Sequence, residues 1–203
     1  MSAEYTVSSV FAATPQSVGS GRGVVAIERG GLAIAHLAAR TAQVQALRAR
    51  VREHFGIELP DAARRVSARG VAAAGIAPQR WLMLAQDAGE EFVPDLVARL
   101  EPLATVVELT DAYAVLRLSG ADLRASLAKL VPIDLHEAQF RPGDVAQTVL
   151  EHMPVTLWRL EDAPAGQPVF ELAVAGSFAG SLYEAVRDSA AEFGFRFEPL
   201  AQR

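Results

Sequence analysis

A short apolar run, Ala112 to Leu118, feeds without a spacer into Ser119-Gly120-Ala121-Asp122. Leu123, Leu127 and Leu130 then recur at helical spacing until Pro132 stops the pattern. A run that short and that apolar is a buried strand, so this junction commits the chain to a mixed architecture in which strands hand over directly to amphipathic helices. Ser119-x-x-Asp122 has the spacing of a capping box, in which each side chain satisfies an orphan donor of the first turn. Beyond the Pro-rich elbow at Pro132, Asp144 to Leu150, Val155 to Leu160 and Val169 to Val174 read as strands, the last two joined by the loop Ala163 to Pro168. Ser177 then opens a helix with Phe178, Leu182, Val186 and Phe193 on one face, closed by Gly194.

The preceding residues follow the same order. Leu32 to Leu37 is a strand, and Thr41 is placed to cap a helix whose stripe is Val44, Leu47, Val51 and Phe55, ending at Gly56. A loop holds Pro60, Val71 to Ala77 and Trp81 to Ala85 form a hairpin across Pro78-Gln79, and Asp87 to Glu91 supplies acidic groups to a helix start. The buried face of that helix is Phe92, Val93, Leu96, Val97 and Leu100, with Pro94 in its first turn, and Thr105 to Leu109 closes the set as a strand. The expectation is an α+β domain of two pseudo-repeated β-α-β-β-α-β halves, about 24–110 and 111–198, the second with one strand more. Residues 23–203 make one domain. Residues 1–22, rich in Ser, Ala, Gly and Thr, are expected to be a flexible arm, with order beginning near Val24 or Leu32.

Composition narrows the function classes. Of 203 residues 51% are hydrophobic, an apolar share that points to surface meant for a partner. A net charge of -5 with scattered arginines argues against nucleic acid; the densest basic group, Arg64-Arg65 with Arg69, has no interleaved aromatics and reads as a solvated loop. Cysteine is absent, which removes disulfides, thiolate nucleophiles and thiolate metal ligands. No apolar run reaches the ~20 residues of a membrane span. Met1-Ser2-Ala3-Glu4 has no basic region, and Val10 to Ala13 is too short for a signal core. A cytoplasmic protein is expected.

No catalytic, cofactor-binding or metal-ligating residue is assigned. His36, His54, His136 and His152 are not spaced to converge on a metal. Glu90-Glu91 and Glu161-Asp162 are adjacent pairs whose side chains point apart, as solvated charges do. Lys129, the sole lysine, sits near a helix C-terminus, where a cation is favoured without any Schiff-base role. Gly19-Ser20-Gly21-Arg22-Gly23 has no strand before it and no helix after it, so it reads as a linker and not as a phosphate cradle. Trp81 and Trp158 pack in a core or an interface. Arg159 points from the opposite strand face to Trp158, toward a partner's carboxylate or into water.

From about Leu103 to Phe195 the chain resembles the γ subunit of heterotetrameric sarcosine oxidase. The resemblance rests on Leu109-Thr110-Asp111-Ala112, Val115 to Gly120, Leu127-Ala128-Lys129, Pro132-Ile133-Asp134-Leu135-His136, Phe140 to Thr148, Pro154 to Leu160 and Ser177-Phe178. That family is in turn similar to the folate-binding domain of glycine-cleavage aminomethyltransferases. On this resemblance Ser119-Gly120 takes the strand-to-helix junction and Asp134 the elbow acid, while Met153 and Pro154 stand where the transferase carries an acidic pair.

The resemblance implies a non-catalytic subunit with an assembly or stabilising role, partnered by α, β and δ subunits, with α the expected contact, and with no nucleic acid or membrane partner. The complex would oxidise sarcosine to glycine, yielding hydrogen peroxide and formaldehyde or 5,10-methylenetetrahydrofolate. FAD, FMN, NAD and zinc would lie in the other subunits, with tetrahydrofolate as co-substrate. Two alternatives stay open: a free-standing folate-dependent aminomethyltransferase-like protein, and a γ subunit serving another N-methyl amine, such as N-methylglutamate or dimethylglycine.

Overall fold

The computed structural model describes residues 9–11, 16–19, 23–61, 63–164 and 166–199. In chain order its elements are β1 (Gln16–Val18), β2 (Val24–Glu28), β3 (Leu32–Ala39), α1 (Val44–Phe55), β4 (Arg65–Ala68), β5 (Val71–Ala77), β6 (Arg80–Gln86), α2 (Phe92–Leu100) and β7 (Ala104–Glu108). They continue with β8 (Tyr113–Ser119), α3 (Leu123–Leu127), β9 (Val145–Leu150), β10 (Met153–Arg159), β11 (Val169–Ala175), α4 (Ala179–Ala190) and β12 (Phe195–Glu198). The architecture is mixed α+β. Two compact units divide the chain: Met1–Gly30, Ala114–Pro142 and Thr148–Arg203 make one, Gly31–Tyr113 and Gly143–Gln147 the other.

The second unit holds a five-stranded sheet in the order β4-β5-β6-β3-β7, with antiparallel neighbours throughout. Alternation sends Ala33, Ala35 and Leu37 of β3 and Trp81, Met83 and Ala85 of β6 to one face. There they meet Leu47, Val51 and Phe55 of α1 and Phe92, Val93, Leu96 and Leu100 of α2. Trp81 is fully buried, and its indole N–H donates to the Pro60 carbonyl at 2.7 Å. Val97 is not part of that face but lies 40% exposed, because the apolar arc of α2 is narrower than the sequence reading made it. The expected Thr41 cap does not form: α1 has Gln43 at its N-cap, without a side-chain bond.

β4 occupies what was read as a solvated loop. Arg65 lies in the strand, its N–H donates to the Gly143 carbonyl at 2.6 Å, and Arg64 pairs with Asp144. The partners come from 80 residues away in the chain, so local composition held no trace of them.

The first unit holds a seven-stranded sheet in the order β1-β12-β2-β8-β11-β10-β9, in which β12 and β2 run parallel. β10 is buried at every position except Pro154, so it reads as a continuous apolar run because both its faces are covered. β1 corrects the flexible-arm expectation for Gln16–Val18, which pair with Phe195–Phe197; the neighbouring residues 1–8, 12–15 and 20–22 lie outside the described residues. The predicted helix from Ser177 starts later: Gly176–Phe178 form a 3-10 turn and Phe178 is 39% exposed. No helix among the described residues is long and apolar enough to cross a membrane.

Candidate functional site

The region from Ser119 to Leu160 carries the sequence-level functional argument, and the first unit positions most of it. β8 ends at Ser119 and α3 begins at Leu123. The expected capping box is absent, since no side chain bonds the α3 N-terminus and Ser119 is still in the strand. What shapes the junction is backbone approach. Gly120 has φ +134°, and a Cβ there would stand 2.2 Å from the Gly23 carbonyl oxygen, so only glycine fits.

The elbow is held by its own polar groups. Asp134 is exposed, and its carboxylate accepts the His136 N–H at 2.8 Å, closing a local turn. Arg124 Nε donates to the Leu135 carbonyl at 3.2 Å, and Arg159 Nη1 to the Phe140 carbonyl at 2.8 Å. The Phe140 ring stacks on Phe170 with centroids 6.0 Å apart. Arg159 corrects the reading of a partner-facing or wet side chain: it is 3% exposed and its Nη2 donates to Asp162 at 2.8 Å. Glu161-Asp162 is therefore not simply solvated, because Asp162 is this arginine's counter-ion.

Beside it lies a polar cluster that the sequence reading did not single out. Glu171 of β11, 3% exposed, accepts from Arg117 of β8 at 2.9 and 2.6 Å and lies 3.4 Å from Arg29 Nε. Its other oxygen accepts the Trp158 indole N–H at 2.7 Å. Trp158 and Glu171 face each other in the β10–β11 register, and that hairpin pairing was the one available signal. Trp158 is core packing, fully buried.

An open cleft of about 530 Å³ is lined by Lys129, Leu130, Glu151, Glu184, Asp188 and Ser189, among others. Lys129 Nζ donates to the Ser189 carbonyl at 2.5 Å and to Glu192 at 2.6 Å, and sits 4.9 Å from the centroid of the Phe193 ring. Ser189 is in the last turn of α4, so the ammonium caps that helix's open carbonyls.

The histidines are dispersed. His136 Nδ1 faces the Ala138 N–H at 3.2 Å, and His54 Nδ1 lies 3.2 Å from Arg99. His152 is exposed. His36 is half-buried on β3, and burial, then the Arg80 charge, lowers its pKa. Among the described residues no three of His, Cys, Asp and Glu gather where they could hold a metal. Glu90 and Glu91 are both exposed.

By the resemblance, Met153 and Pro154 stand where the transferases carry an acidic pair. Met153 opens β10 and is 6% exposed; Pro154 beside it faces solvent. A thioether in a core accepts no proton and no strong hydrogen bond.

The fold class is that of the glycine-cleavage aminomethyltransferases. The structure matches aminomethyltransferase T from Bartonella henselae with a TM-score of 0.62 at 13% identity, over 88% of this chain and 48% of that one. More specifically, residues 39–192 match the sarcosine oxidase, gamma subunit family, and the chain belongs to that family. The γ subunit of sarcosine oxidase from Corynebacterium sp. (strain P-1) is 32% identical over 137 residues, covering 66% of this chain and 63% of that subunit. The corresponding subunit from Arthrobacter sp. is 35% identical over 109 residues, 52% of this chain and 53% of that one. The chain thus aligns with less than two thirds of either relative's length. A chain of heterotetrameric sarcosine oxidase from Corynebacterium sp. U-96, solved with pyrrole 2-carboxylate, superposes with a TM-score of 0.73 at 25% identity, over 87% of this chain and 88% of that one.

Proposed function

We propose that this chain is a non-catalytic γ subunit of a cytoplasmic heterotetrameric sarcosine oxidase, and that its work is to assemble and stabilise the complex. The observation that carries the reading is Met153: the fold is shared with the transferase, and the residue that by the resemblance stands at the place of its acids is a buried thioether. A frame without its acids still offers shape and surface to a partner, and membership of the γ-subunit family supports reading that partner as the rest of an oxidase complex.

On this reading the partners are α, β and δ subunits, with α the principal contact. FAD, FMN, NAD and zinc reside in those subunits and tetrahydrofolate serves as co-substrate. The complex converts sarcosine to glycine, with hydrogen peroxide and formaldehyde or 5,10-methylenetetrahydrofolate as products. Residues 23–203 act as one γ-like domain, and its two units, each ordered strand, helix, three strands, helix, strand from β3 and from β8, are diverged copies of one plan. That order has one more strand between the helices than the sequence reading gave to the first half.

The test is co-expression of the tagged chain with its α subunit. Co-purification of a flavin-containing complex at equal stoichiometry supports the reading. An α–β–δ assembly that forms and turns over sarcosine at the full rate without this chain overturns it.

A further inference from the structure

We propose that β1 is a releasable strap: seated, it closes the edge of the seven-stranded sheet, and released, it bares the main chain of β12 and the Tyr183 phenol while the sheet behind stays folded. β1 is three residues long and pairs on one side only, through Gln16↔Phe197, Ser17↔Arg196 and Val18↔Phe195. A strand that short adds few ladder bonds to hold it in place.

Its side-chain anchor among the described residues is specific. Tyr183 Oη donates to Gln16 Oε1 at 2.5 Å. The tyrosine ring packs edge-on against Phe195 and Phe197, with centroids at 6.0 and 4.9 Å, and both phenylalanines are fully buried. The aromatic cluster is therefore seated by α4 and β12 themselves, and β1 covers it without building it. At the far end of the strap Gly19 turns with φ +64°, where a Cβ would lie 3.3 Å from Gly194 Cα. Upstream, the Val10 N–H donates to Glu28 at 3.1 Å and Phe11 is buried. β1 and β12 both lie outside residues 39–192, the part the family model matches.

Register gives the proposal an atom-level signature. The Val24 N–H donates to the Gly194 carbonyl at 2.9 Å, so the even-numbered residues of β12 turn their main-chain groups to β2. By alternation the Phe195 and Phe197 amides face β1, and the Arg196 amide does not. Release of the strap exposes the first two and leaves the third protected.

Residue-resolved hydrogen exchange on the full chain, wild type and Tyr183→Phe, tests this. The expected result is faster exchange at Phe195 and Phe197 than at Arg196. Loss of the phenol donor should accelerate only the first two, by roughly five- to tenfold for one hydrogen bond. A single common rate for the three amides, or an equal acceleration of all three in the variant, overturns the proposal, because β1 would then leave only with the whole sheet.

Discussion

The two tryptophans show how differently the two units solve one problem. Trp81 and Trp158 are each fully buried on an interior strand of a sheet, and each must place an indole N–H. Trp81 uses a main-chain carbonyl, that of Pro60, inside a core whose other members are apolar. Trp158 uses a buried carboxylate, Glu171, which two arginines compensate. An apolar core tolerates small losses of volume at graded cost, whereas a buried ionic cluster is intolerant of losing one member.

That contrast can be broken by substitution. Glu171→Leu should be the most damaging change, costing about 3–4 kcal/mol by chemical denaturation, since it leaves the buried Trp158 indole N–H without its acceptor and the partly exposed Arg117 and Arg29 without their counter-ion. A cost under about 1 kcal/mol would mean the cluster behaves like the Trp81 core after all. Met153→Glu should cost about 3 kcal/mol by chemical denaturation, because the new carboxylate would be buried without a donor. Lys129→Met should cost about 0.5–1 kcal/mol through lost capping of α4, read as a thermal shift that shrinks in high salt.

The smallest effect lies in the five-stranded unit. Burial and Arg80 lower the His36 pKa, so below about 6.5 the unfolded chain takes up this proton before the folded one does. Stability from this group is intact above that pH and is lost as pH falls toward the folded value. His36→Gln should flatten the decline between pH 7 and 5, and an unchanged slope would remove His36 as its source.

The same contrast marks what was legible in the sequence. Leu47, Val51 and Phe55 announce α1 because a helix against an apolar core must repeat at that spacing. Trp81 to Ala85 announces β6 for the corresponding reason. Charged residues misled. Arg65 and Arg159 look solvated in any local window, yet the first finds Gly143 far along the chain and the second a carbonyl, Phe140, that no composition can mark. Gln16–Val18 looked structureless because its partner strand lies at the other end of the chain. Ser119 and Asp122 had the right spacing for a cap, but the glycine between them is there for the approach of Gly23. Of the site, the frame was readable and the Glu171 cluster was not.

The central claim is that this chain assembles a sarcosine oxidase without catalysing its chemistry. Reconstituting the α, β and δ subunits with and without it, and following peroxide release from sarcosine, tests that claim directly. The account predicts no turnover by the chain alone, a stable active complex with it, and an unstable or incomplete one in its absence. Turnover or saturable folate binding by the isolated chain would contradict it.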